Sequence, residues 1–186
     1  MTVAPRSNLS ATPALPPADP ARQGSASVAQ DLRFEVTAPD RSGQRCVRSL
    51  AAFAAGDVLQ PFGAAVVHDR PDRMTLQLSQ HQHIELEPGF LAFTNHSCDP
   101  NAHFDVELRA LVALRPIAPG DEITFFYPST EWTMSSPFEC RCGSARCLRR
   151  IAGASELPPG ALAGYRLAPH IARQLAQGAP PSSGAV

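Results

Sequence analysis

No part of the 186-residue chain is apolar for long enough to form a signal-peptide core or cross a bilayer, its opening MTVAPRSNLSATPALPPADPARQGSASVAQ included. A soluble, cytoplasmic protein without a membrane partner is expected. Excess positive charge is lacking too: 16 Lys and Arg stand against 17 Asp and Glu, a formal net charge of −1. Without a global positive field, the chain is not expected to hold nucleic acid or an anionic membrane surface. Residues 1–30 contain no aromatic and are rich in Ala, Pro and Ser; residues 177–186 have a similar composition. Neither segment can bury enough apolar surface to offset the entropy of ordering, so both are expected to be disordered tails.

What lies between has 44% hydrophobic content over the whole chain behind it, enough for one domain with a core and hardly for two. Met74, Leu76 and Leu78 alternate with polar residues, as do Ile84 and Leu86, which is the period of a half-buried strand. Ala55-Gly56-Asp57 and Pro119-Gly120-Asp121 each precede an apolar run, as tight turns between strands do. The pattern predicts a mainly β protein of short sheets. One short helix is expected near the end, where Pro169 suits a first-turn position and Ile171 and Leu175 fall on one face.

Five cysteines are present, three of them in Cys140-Arg141-Cys142-Gly143-Ser144-Ala145-Arg146-Cys147. In a reducing compartment such a cluster reads as metal ligands rather than disulfides. Three thiolates are one short of a closed structural zinc site, and Cys46, Cys98 and the histidines are the candidates for the fourth place. Arg141, Arg146, Arg149 and Arg150 stand near enough in sequence to offset the surplus thiolate charge.

Three motifs in register carry a resemblance. Asn95-His96-Ser97-Cys98-Asp99-Pro100-Asn101, then Gly120-Asp121-Glu122-Ile123-Thr124-Phe125-Phe126-Tyr127, then the cysteine segment resemble the SET domain followed by a post-SET zinc segment. The stretch after Tyr127 resembles a compact microbial branch of that family. The helix expected near the end makes 154–176 a helical extension, and the resemblance implies a SET domain over 31–135 with a pseudoknot and a post-SET zinc segment over 136–153. It implies that S-adenosylmethionine is the cofactor, contacted by Asn95, His96 and Tyr127, with Phe138 or Leu148 closing over the adenine. Cys98 would join Cys140, Cys142 and Cys147 around Zn²⁺. Tyr127 would be the catalytic residue, orienting amine, methyl and sulfur for an in-line displacement. Phe125, two residues earlier on the same strand, would face the same pocket.

The chain also departs from that pattern. Gln44-Arg45-Cys46 occupies the place of the early G-x-G turn beside the cofactor, with Gly43 one residue before it. Arg45 and Cys46 are therefore candidate cofactor contacts, and Arg45 and Arg48 candidates for its carboxylate. Phe126 stands where an acidic residue is usual, and Phe62 and Trp132 are the other aromatics offered to the acceptor pocket. His81 and His83 read as solvent-facing, Glu122 as a turn or strand residue, and Cys46 as a small buried thiol. The segment from Asp69 to Phe93 leaves little room for a helical wall to a peptide groove. The expected function is methyl transfer to an amine, a protein or peptide lysine first. A small-molecule amine, or a catalytically silent SET-like binding module, is the alternative.

Overall fold

The computed structural model describes residues 33–178, apart from Ser42 and Pro159. The expected tail over 1–30 and all but Gln177 and Gly178 of that over 177–186 lie outside the described residues. In chain order the strands are β1 (Phe34–Val36), β2 (Val47–Ser49), β3 (Val58–Pro61), β4 (Gly63–His68), β5 (Thr75–Ser79), β6 (Gln82–Glu87), β7 (Asn95–His96), β8 (Ala102–Asp105), β9 (Ala110–Ala113), β10 (Thr124–Phe125), β11 (Phe138–Glu139) and β12 (Arg150–Ile151). A 3₁₀ turn over Gly89–Phe93 precedes β7, another over Tyr127–Ser129 follows β10, and a third spans Ala154–Glu156. The one α-helix among the described residues is α1 (Pro169–Ala176).

The strands form five small sheets, ordered β1-β2, β3-β9-β8, β4-β6-β5, β7-β10 and β11-β12. Every pairing is antiparallel except that of β7 with β10. The alternation read from the sequence holds at Ile84 and Leu86 of β6, which are buried while Glu85 and Glu87 are exposed; on β5 it does not, since Leu76 and Gln77 are both buried, Leu78 is only partly buried, and Met74 lies before the strand and is exposed. Strand β9 sits between β3 and β8 and is buried at all four residues. Leu59, Leu91, Leu111, Ile117, Ile123 and Phe104 join these side chains in one core. Gly56 and Gly120 have φ of +89° and +91°, conformations that glycine adopts without the clash a Cβ would cause.

Two expectations are corrected. His83 is not solvent-facing but buried, on β6 beside Ile84, with its Nδ1 3.8 Å from the Glu131 carboxylate. Helix α1 does begin with Pro169, but its buried face is Ile171, His170 and Gln174, and Leu175 is 40% exposed. The reason is polar: His170 Nε2–H donates to the Thr130 carbonyl at 2.8 Å, which turns that side of the helix inward, and Gln174 on the same side is satisfied within the helix by the His170 carbonyl at 3.2 Å.

The segment leading to α1 is held close to the chain after Tyr127. At Gly153 a Cβ would run into the Trp132 carbonyl and the Thr133 Cα, so only glycine permits this approach. Ala154 N–H then donates to the Glu131 carbonyl at 2.8 Å, and Ala168 N–H to the Ser129 carbonyl at 2.8 Å.

Candidate active site

The parallel pair β7 and β10 puts Asn95 opposite Thr124 and His96 opposite Phe125. Two residues per strand are too few to hold such a pair, and side chains complete it. Asn101 donates to the Glu122 carbonyl and accepts the Thr124 N–H, both at 2.8 Å. Asn95 Nδ2 donates to the Glu122 carboxylate at 2.8 Å and to the Arg45 carbonyl at 2.9 Å. Glu122 is therefore a strut between the two chains, as its position in a turn-to-strand step suggested, and the residues standing in the G-x-G place are tied to Asn95.

Beyond β10 the chain delivers Tyr127 against this crossing. Its backbone N–H donates to His96 Nδ1 at 3.3 Å, and its hydroxyl donates to the Thr94 carbonyl at 3.2 Å. The ring lies 4.7 Å from Phe125, 5.2 Å from His96 and 6.1 Å from Phe138, centroid to centroid. Burial pushes the Tyr127 hydroxyl up to about 12, so at neutral pH it is a donor and a dipole, not a base. Burial also holds His96 down near 4, keeping its ring neutral. Since Nδ1 accepts from Tyr127, the proton is on Nε2, which points it at Cys98 Sγ 3.3 Å away.

Cys98, Cys140, Cys142 and Cys147 converge so that their sulfurs all lie within 4.8 Å of one another. Cys98 is fully buried, and its sulfur also receives the Leu148 N–H at 3.4 Å. Sulfurs about 2.3 Å from a tetrahedral zinc stand about 3.8 Å apart, and Cys98 to Cys140 is 3.9 Å. Burial raises both of these thiols, since a buried thiolate is poorly solvated. The donor set, the spacing and the two N–H groups aimed at Cys98 fit Zn²⁺. The fourth candidate Cys46 stands apart, its backbone N–H bonded to Thr37 Oγ1 at 3.0 Å.

The remaining sequence-predicted residues divide. Phe138 packs edge-on against His96 at 5.7 Å and is about one-third exposed, and Leu148 packs against the cysteine cluster. The Arg45 guanidinium lies 4.7 Å over the Phe93 ring, whereas Arg48 donates to the Gly120 carbonyl at 2.7 Å. Phe125 is buried between Tyr127 and Phe104, while Phe62 reaches that group only through Phe104, at 5.5 Å. Trp132 is not brought to Tyr127: it packs with Ala154, Ala168 and Ile171 near α1.

A SET domain profile matches residues 44–128, the stretch that contains this crossing. Over 132 residues the chain is 41% identical to "Methyltransferase flvH" of Aspergillus flavus, covering 69% of this chain and 73% of that one. The chain belongs to the SET-domain methyltransferases. Other SET-domain relatives are matched over small parts of much longer proteins. Histone-lysine N-methyltransferase Set2 of Drosophila melanogaster is 36% identical over 37% of this chain and 3% of its own length. The H3 lysine-36 specific histone-lysine N-methyltransferase of Candida albicans is 38% identical over 38% and 9%. Among solved structures, KRYPTONITE in complex with mCHG DNA and SAH is similar at a TM-score of 0.49 with 25% identity; the match covers 64% of this chain and 29% of that one.

Two groups in this SET-domain chain escape sequence reasoning. One is a buried polar network: Glu131 accepts the Gln77 N–H at 2.8 Å, and Gln77 in turn accepts the Trp132 N–H at 2.7 Å. Burial pushes Glu131 up to about 7. The other is Tyr165, whose ring stacks on Phe126. No local periodicity marks either, because both join residues far apart in the chain.

Proposed function

We propose that the chain transfers the methyl group of S-adenosylmethionine to an amine, with a lysine side chain of a protein or peptide as the acceptor and Tyr127 as the catalytic residue. The observation that carries this reading is Tyr127 itself, wedged against His96 and Phe125 with its protonated hydroxyl tied to the Thr94 carbonyl. When bound, S-adenosylmethionine supplies an electrophilic methyl on a sulfonium; a C–N bond forms as the C–S bond breaks, the electron pair leaving with sulfur. Asn95, His96, Arg45 and Cys46 would contact the cofactor, and Phe138 or Leu148 would close over its adenine. A lysine amine, with a reference pKa near 10.4, gives up its proton to solvent water before attack. Tyr127 is too weak an acid to exist as a phenolate base there, so its part is orientation through its oxygen and neighbouring carbonyls. Cys98, Cys140, Cys142 and Cys147 would hold one structural Zn²⁺ beside it.

A second reading, a small-molecule amine as acceptor, is favoured by one observation. From Asp69 to Phe93 the chain is a β5–β6 hairpin and a 3₁₀ turn, with no helix to wall a peptide groove. The similarity to a methyltransferase matched over 73% of its length agrees with a compact enzyme.

Calorimetry with S-adenosylmethionine, then mass spectrometry of lysates incubated with labelled cofactor, tests both. Labelled protein bands support the lysine reading, and labelled small molecules the second. Absence of cofactor binding would sink both and leave a silent SET-like binding module.

A further inference from the structure

Tyr165 lies beyond the SET match, in the segment between the third 3₁₀ turn and α1. Its ring stacks face to face on Phe126, the residue before Tyr127, at 3.7 Å and 7°. Its hydroxyl donates to the Cys98 carbonyl at 2.6 Å. The Arg146 guanidinium, from the cysteine loop, lies 4.6 Å from the same ring and reaches the Ala163 carbonyl at 3.5 Å. The turn that presents this tyrosine runs through Gly164 at φ +80°. One side chain thus touches the strand that delivers Tyr127, the thread that carries Asn95, His96 and Cys98, and the loop that carries Cys142 and Cys147.

We propose that Tyr165 is a positioning residue: stacked on Phe126 and bonded to the Cys98 carbonyl, it fixes the crossing of the two chains that carry Asn95-His96 and Tyr127. The SET match ends before it, so the C-terminal segment supplies a clasp from outside that match. Phe126 explains the choice of partner. A carboxylate in its place would offer no flat apolar face, whereas an aromatic pair stacks at van der Waals distance. The hydroxyl satisfies a carbonyl that a phenylalanine would leave without that donor. Arg146 adds a cation over the ring and ties the cysteine loop to the same point.

The part of this that concerns cofactor affinity rests on Asn95 and His96 as cofactor contacts, so the test carries a readout independent of them. On the zinc-loaded full chain, well below its melting temperature, Tyr165→Leu should weaken S-adenosylmethionine binding about tenfold in calorimetry. It should also release zinc to a chromogenic chelator about tenfold faster. Tyr165→Phe keeps the stack and loses the hydroxyl: it should bind the cofactor within about threefold of wild type while still releasing zinc faster. Circular dichroism confirms that each variant is folded. If both variants only melt earlier, with affinity and zinc release unchanged below the transition, the tyrosine is ordinary packing and the proposal is overturned. If the wild type binds no S-adenosylmethionine, the proposed function fails, and zinc release still decides the clasp: faster release supports it, unchanged release overturns it.

Discussion

At Tyr127 the hydroxyl is raised to about 12 by burial and donates to the Thr94 carbonyl, so it holds its proton across the neutral range. A group that acts by orientation matters chiefly in the transition state. Tyr127→Phe should therefore lower turnover about 100-fold or more while S-adenosylmethionine affinity stays within about threefold. Steady-state rates and calorimetry on the same preparation check this; equal losses in both would mean that the ring is structural. Phe125, 4.7 Å from Tyr127 and 4.8 Å from Phe104, touches both that tyrosine and the core. An aromatic hydroxyl at this point would hold a water in the room a methylated amine needs to turn. Wild type is expected to give di- or trimethylated product, and Phe125→Tyr to shift it toward monomethyl at a similar first-transfer rate. If Phe125 serves only the core, the buried hydroxyl destabilises the fold and all products fall together. Product ratios by mass spectrometry separate the two.

Among elements, the thread from β7 to Cys98 joins the cysteine cluster and the crossing, because His96 Nε2–H and Leu148 N–H both point at the Cys98 sulfur. Metal analysis should give about one Zn²⁺ per chain, and Cys98→Ser should lose it together with cofactor affinity, since structural zinc contributes on the order of 10 kcal/mol to its segment. X-ray absorption showing nitrogen in place of a sulfur would count against the four-cysteine site. Between β5, the turn after Tyr127 and α1 lies Glu131, whose carboxyl rises from 4.5 to about 7 on burial. The folded chain then holds a proton that the unfolded chain has lost between those values, so stability falls as pH rises through that window. Glu131→Gln keeps an oxygen for the Gln77 N–H and removes the titration. Urea unfolding should show it stabilising by up to about 3 kcal/mol near pH 8, and neutral or destabilising near pH 5. The same difference at both pH values would exclude Glu131 as the source. These elements also mark the limit of sequence reading. Ile84 and Leu86 were legible because a half-buried strand imposes a period of two, and the cysteines because their spacing is chemical. The pair β7–β10 has two residues on each side, too short for any period. His83 read as solvent-facing, and nothing in the sequence marked Gln77, Glu131 or His170 as buried, because a polar residue's burial depends on partners that only the fold brings. Trp132 was drawn to the pocket by its nearness to Tyr127 in sequence, but the turn after Tyr127 sends it toward α1.

For the whole molecule, the near balance of 16 basic and 17 acidic residues hides a composition with chemical meaning: every basic residue is arginine, and lysine is absent. On the proposed function the site alkylates an amine that has shed its proton. An arginine guanidinium stays protonated, with a pKa above about 12, and offers no comparable nucleophile. The arginines still do what cations do in this fold: Arg45 covers Phe93, Arg146 covers Tyr165, and Arg48 caps the Gly120 carbonyl. The protein's own surface therefore presents no side-chain amine to compete with a substrate. Incubated alone with labelled S-adenosylmethionine, the purified chain should acquire no side-chain label, however long the exposure. Side-chain label on the wild-type chain would defeat the prediction.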